Sequence, residues 1–203
     1  SDKQEVEQKY LDKWTFVFHY EKPTCSNGSL ALNRGKSVVG CQVRTFLPFL
    51  GMSDGLLLEA KTEVPESYRV YYNGWDRWSV LPKTPVVGIH HPMGDAKKIS
   101  IANGPIRLST WDTGDGEAGE KNAHFEFHYT QGATEGGSSG SSLFSAEHLV
   151  VGTLTGGRTE GDDFYGRLKF HWDHFKKNDT IDGMDIYLDP KEGGTARKLE
   201  GTW

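Results

Sequence analysis

The chain has 203 residues, enough for one large domain or two small ones around a shared core. Its formal net charge of −5 is spread without blocks of like charge, which argues against a nucleic-acid partner. No stretch approaches the roughly 20 apolar residues that a membrane-crossing helix needs. Aromatics at 12% offset a modest 35% hydrophobic content, and 25 glycines favour turn-rich β structure.

In chain order, Gln4 to Lys13 reads as a short charged helix or loop. Trp14, Phe16, Phe18 and Tyr20 then recur at period two, the pattern of a half-buried strand. A second strand is expected from Ser37 to Thr45. Gly55 to Ala60, with the run Leu56-Leu57-Leu58, reads as a strand buried on both faces. Another is expected from Tyr68 to Trp75, followed by a connection at Pro82 to Pro85 that divides two sub-domains.

Further strands are expected at Val86 to His90, Lys97 to Ala102, Ile106 to Trp111 and Ala123 to Tyr129. In the last of these, Ala123, Phe125, Phe127 and Tyr129 alternate with His124, Glu126 and His128. Leu149 to Leu154 and Phe164 to Phe170 complete the series, and a short helix is expected from Trp172 to Asn178. Short strands at this spacing imply a sandwich or barrel. Cys25 and Cys41 are either a disulfide worth about 3 kcal/mol or two packed thiols.

The most informative segment is Gly136-Gly137-Ser138-Ser139-Gly140-Ser141-Ser142-Leu143-Phe144. By composition it could be a flexible linker. It lies between two strands, however, and runs straight into an apolar segment, which favours a nucleophile loop. A serine hydroxyl attacks a carbonyl only when a base removes its proton and N–H groups receive the oxyanion. Glycines on both sides of Ser139 permit that turn, and the N–H groups of Gly137 and Ser139 would form the oxyanion hole.

This segment, with Gly152-Thr153-Leu154-Thr155-Gly156-Gly157 after it, resembles the lysyl endopeptidases, secreted bacterial relatives of trypsin. Ser53-Asp54-Gly55, Asn73-Gly74-Trp75-Asp76, Ile89-His90-His91-Pro92, Lys97-Lys98-Ile99-Ser100 and Asp163-Phe164-Tyr165-Gly166-Arg167 are similar to family segments in the same order. The resemblance implies an all-β, chymotrypsin-like double β-barrel with the first barrel incomplete. Residues 1–81 would be the partial first barrel and 82–188 the second. Residues 189–203 would be a tail or the start of a further module of the same precursor.

It also implies roles. Ser139 would be the nucleophile and Asp54 the carboxylate that orients the catalytic histidine. Asp163 would bind a basic substrate side chain, with Glu135 as a rival acid by spacing. Trp111 would lie beside the pocket. Strictly lysine-specific members carry histidine where this chain has Thr155, so the expected preference widens to Lys or Arg.

The family order is His, Asp, Ser, yet only His19 precedes Asp54, in a strand where the family shows none. His90 and His91 match a segment that does not hold the base. His124, His128, His148, His171 and His174 lack its Ala-X-His-Cys context. The base is therefore expected upstream of Ser1, and residues 1–203 alone are expected to be inactive. Cys25 would by the same resemblance have its partner upstream.

The implied activity is peptide-bond hydrolysis after a basic residue, on a polypeptide substrate, in a secreted or periplasmic setting. No cofactor and no metal are implied. The alternatives are a pseudoprotease or a β-rich binding module without catalysis.

Overall fold

A computed structural model describes residues 8–24, 36–77, 80–114, 118–158, 161–175 and 183–203. The expectation for Cys25 lies outside these residues. Cys41 is a buried free thiol, its Sγ 3.9 Å from the Leu11 carbonyl at the end of helix α1 (Gln8–Leu11).

The first part of the chain forms two separate antiparallel pairs. Strand β1 (Thr15–Val17) pairs with β2 (Ser37–Val39), and β3 (Cys41–Leu47) pairs with β4 (Gly55–Ala60). The expected strand from Trp14 is cut short because His19 turns into the left-handed region at φ 57. His19 is thus not a strand residue; its Nε2 meets the Tyr68 carbonyl at 2.8 Å. Strand β4 is not buried on both faces, since Leu56 is exposed. Val43 and Phe46 of β3 are exposed as well, leaving an apolar strand face without a cover among the described residues.

Tyr68 to Trp75 is not a strand. A 3₁₀ turn spans Glu66–Tyr68, Arg69 ends it at φ 51, and only β5 (Trp75–Asp76) is extended into the sheet. Pairing resumes with β6 (Val86–His90), β7 (Lys98–Ala102), β8 (Arg107–Ser109), β9 (His124–His128), β10 (Ser142–Phe144), β11 (Val150–Gly157) and β12 (Asp162–Arg167). Their spatial order is β7-β6-β10-β11-β12-β9-β8. A bridge between Ile101 and Gln131 bonds the chain leaving β9 to β7, so the sheet curls back on itself.

The interior holds Val86, Ala102, Phe125, Phe127, Tyr129, Leu143, Val151, Leu154 and Tyr165. Phe127 stacks on Tyr165 at 5.5 Å, and the Tyr129 and Tyr165 hydroxyls meet at 2.7 Å. On β9 both faces are covered: His124 and Glu126 are buried along with the rings, and only His128 faces solvent. The expected strand ending at Phe170 stops at Arg167, where helix α2 (Leu168–Phe175) begins earlier than its predicted start.

Trp172 of α2 packs 4.8 Å from Trp75, together with Leu47, Leu168 and Met184 of α3 (Met184–Leu188). This second cluster joins β3 to the C-terminal helices. The last strand, β13 (Lys198–Leu199), pairs with β5, which runs parallel to β11 at Val150. Residues 189–203, expected as a tail or a further module, thus return to the sheet.

Candidate active site

The segment from Gly136 to Ser141 forms a turn in front of β10. Gly137 at φ 92 and Gly140 at φ 81 occupy the left-handed region on either side of the two serines. A Cβ on Gly137 would also lie 3.2 Å from the Met93 nitrogen, so conformation and space both require glycine there. The loop is tied on both flanks. The Met93 N–H donates to the Gly136 carbonyl at 2.7 Å, and the Gly140 N–H donates to the Leu154 carbonyl at 2.7 Å.

The Ser138 N–H donates to the Glu135 carbonyl and the Ser141 N–H to that of Ser138. Among the described residues, the N–H groups of Gly137 and Ser139 have no protein acceptor. Two unused donors beside an exposed serine are what an incoming oxyanion needs. The Ser139 hydroxyl is exposed, with the Thr155 carbonyl at 3.5 Å as its acceptor.

Beside the loop lies a cavity of about 660 Å³, lined by Ser139, Thr134, Glu135, Gly156, Gly157 and Asp163 among others. Asp163 projects from β12, is only 4% exposed, and accepts a short hydrogen bond from the Thr134 hydroxyl. Burial pushes its carboxyl above the ordinary range, while Thr134 and His128 pull it down. The rival acid, Glu135, lines the same cavity but is exposed. Trp111 stands against Gly156, where a Cβ would come 3.1 Å from its ring, and packs edge-on to Phe164 at 5.0 Å.

Asp54 sits just before β4 at φ 58, its N–H donating to the Pro48 carbonyl at 3.3 Å. It is open to solvent as a residue, yet the surrounding protein still raises its carboxyl by desolvation. The Thr155 hydroxyl opposes that rise by hydrogen-bonding the carboxylate. The same hydroxyl accepts from His124 Nε2 at 3.1 Å. Asp54 and Ser139, distant in sequence, therefore meet at Thr155. No histidine among the described residues is hydrogen-bonded to the Ser139 hydroxyl.

Thr134 and His124 are site neighbours that the sequence did not single out. Thr134 immediately precedes Glu135, but only the pairing of β12 with β9 brings it against Asp163. His124 carried no motif; its role follows from the β9 strand passing behind Thr155.

Residues 4–166 match the family described as lysyl endopeptidase, C-terminal domain. The chain belongs to the lysyl endopeptidase family. Over 152 residues it is 34% identical to the lysyl endopeptidase of Pseudomonas aeruginosa, covering 74% of this chain and 30% of that protein. The chain thus spans less than a third of the length of this curated relative.

Among solved structures, the active form of the Rv3671c protease from M. tuberculosis superposes with a TM-score of 0.52 at 15% identity. That likeness covers 76% of this chain and 64% of the other, and it shows the fold. An inactive form of the same protease gives 0.43 at 14% identity, over 68% and 65% of the two chains. The expected mostly β, chymotrypsin-like architecture is the fold of this lysyl endopeptidase relative, as the likeness to the active form shows. The family match contains Asp54, Trp111, Gly137, Ser139, Thr155 and Asp163 within its span.

Proposed function

We propose that the protein is a serine endopeptidase hydrolysing peptide bonds after lysine or arginine through an acyl-enzyme. One observation carries this reading: an exposed serine between two left-handed glycines lines the same cavity as a buried carboxylate. Asp163 would pair with the ammonium or guanidinium of the substrate. A charge buried without such a partner is costly, so the pocket selects for the cation that relieves it.

The Ser139 oxygen attacks the scissile carbonyl as its proton passes to a histidine. The Gly137 and Ser139 N–H groups receive the carbonyl oxygen as it becomes negative. The histidine then returns the proton to the departing amine, and water releases the acid product by the same route. Asp54, held by Thr155, orients that histidine and stabilises its charged form.

The histidine itself would come from a segment N-terminal to Ser1. Residues 1–81 would contribute to the first barrel and 82–188 would be the second, with 189–203 closing back on β5. The setting would be secreted or periplasmic, with polypeptide as substrate. Because Thr155 stands where strictly lysine-specific members have histidine, both basic residues are accepted.

The test is a protein extended upstream to include the histidine segment, assayed on peptides with Lys, Arg or a neutral residue before the scissile bond. Hydrolysis and fluorophosphonate labelling should both appear, with the basic peptides cleaved, and both should vanish in Ser139→Ala. Residues 1–203 alone should give no turnover. Hydrolysis that survives Ser139→Ala, or an extended protein unreactive towards fluorophosphonate, would overturn the reading.

A further inference from the structure

We propose that His90 is a positioning residue for the nucleophile loop, held neutral with its proton on Nε2 and tethering the loop to the β6–β7 hairpin. Its effect on substrate binding rests on the protease reading above; the tethering itself does not.

His90 ends β6 and is 1% exposed. Both ring nitrogens are occupied by hydroxyls. Nδ1 lies 2.9 Å from Ser138 Oγ, and Nε2 lies 2.9 Å from Ser100 Oγ on β7. Ser138, next to Ser139, is itself 1% exposed.

The direction of each hydrogen bond follows from the ends of the chain. The Glu135 N–H can only donate, and it reaches Ser138 Oγ at 3.3 Å. The Ser138 hydroxyl has one proton to donate, and among the described residues the acceptor within its reach is His90 Nδ1. Nδ1 is therefore bare and the proton is on Nε2, which donates to Ser100 Oγ. The Ser100 hydroxyl in turn donates to the Ala133 carbonyl at 3.5 Å, a long contact but one with an acceptor-only partner.

Both ends of this relay land on one segment, at Ala133 and at Glu135. That segment is a wall of the cavity and carries Thr134, the hydroxyl partner of Asp163. One imidazole thus fixes the backbone leading into Gly137 and Ser139 and, through Thr134, the surroundings of the pocket acid. The groups facing it support the neutral form: burial and the neighbouring His91 lower its basicity, and Glu135 opposes them.

The assignment is tested on the folded chain of residues 1–203 by ring-nitrogen NMR, amide exchange, and titration with p-aminobenzamidine as a cationic pocket probe. At neutral pH, His90 should show a bare Nδ1 and a protonated Nε2. His90→Phe should accelerate exchange in residues 133–141 while β11 and β12 stay protected. It should also weaken the probe by about tenfold or more, the scale of a buried hydroxyl left without its acceptor. His90→Asn, whose side-chain oxygen can replace Nδ1, should recover much of both. If His90→Phe does not fold, Ser138→Ala removes the same bond with little change in volume and should release the same loop. A protonated Nδ1, an unchanged loop in these variants, or an Asn variant no better than Phe would overturn the proposal. A wild-type chain that ignores the probe would count against the protease reading, and the exchange data would still decide the role of His90.

Discussion

Asp54 and Ser139 share a partner: the Thr155 hydroxyl bonds the Asp54 carboxyl, and the Thr155 carbonyl accepts from the Ser139 hydroxyl at 3.5 Å. Removing that hydroxyl leaves the buried His124 Nε2 without its partner and takes a donor from the solvent-open Asp54 carboxyl. In the extended enzyme, Thr155→Val should lower kcat by about tenfold, the effect of one buried polar group left unpaired. Thr155→Ser should stay near wild type. Steady-state kinetics on a basic peptide separates the two.

Asp163 should carry opposite costs for binding and for stability. Asp163→Asn should reduce kcat/KM for basic peptides by about a hundredfold or more, because the buried cation loses its counter-charge. Glu135→Gln, changing an exposed acid, should do far less. If the two variants trade places in this assay, the pocket acid has been misassigned.

The same Asp163→Asn change should stabilise the unliganded chain at neutral pH. The folded state raises this carboxyl, so its ionisation costs more folded than unfolded. Stability linked to Asp163 is complete below the unfolded value near 3.9 and is lost as pH rises through the folded one. Urea midpoints should therefore favour Asp163→Asn at pH 7 and converge with wild type towards the acid end.

Two histidines behind the site work in the other direction. Burial holds His124 and His171 down to about 4, and both are nearly free of solvent. Unfolded, each titrates near 6.5, so below that pH the unfolded chain takes up protons first. Each group should withdraw up to about 1.36 kcal/mol per pH unit between 6.5 and 4. The check is the slope of urea-derived stability against pH, which His171→Gln should flatten whatever it does to the absolute value.

Strands are legible where glycine or proline punctuates short apolar runs. Gly55 to Ala60 and Val86 to His90 keep their expected bounds. Tyr68 to Trp75 misled because its aromatic content suits a strand, whereas Arg69 takes a left-handed turn that composition does not signal. On β9 apolar and polar residues alternate, yet the polar face is covered too, because Arg107 pairs with Glu126 and Thr155 meets His124. In the site, glycine spacing marked Ser139, while the Thr134–Asp163 and His90–Ser138 contacts exist only once β12 meets β9 and β10 meets β6.

Gly137 offers a direct test of the oxyanion donors. Its φ of 92 is unfavourable for any side chain, and a Cβ would press on the Met93 nitrogen. Gly137→Ala should turn that N–H away and cost about 10² to 10³ in kcat with little change in KM. A KM effect alone would mean that the N–H is not used in the transition state.

The paired hydroxyls of Tyr129 and Tyr165 have an optical consequence. Burial drives both phenols well above their usual range, and each sits within hydrogen-bond reach of the other in the barrel interior. In an alkaline absorbance titration, these two of the chain's 8 tyrosines should stay silent for as long as the fold holds. Their late, cooperative appearance would report the opening of the second barrel from within, with no added label and no substrate.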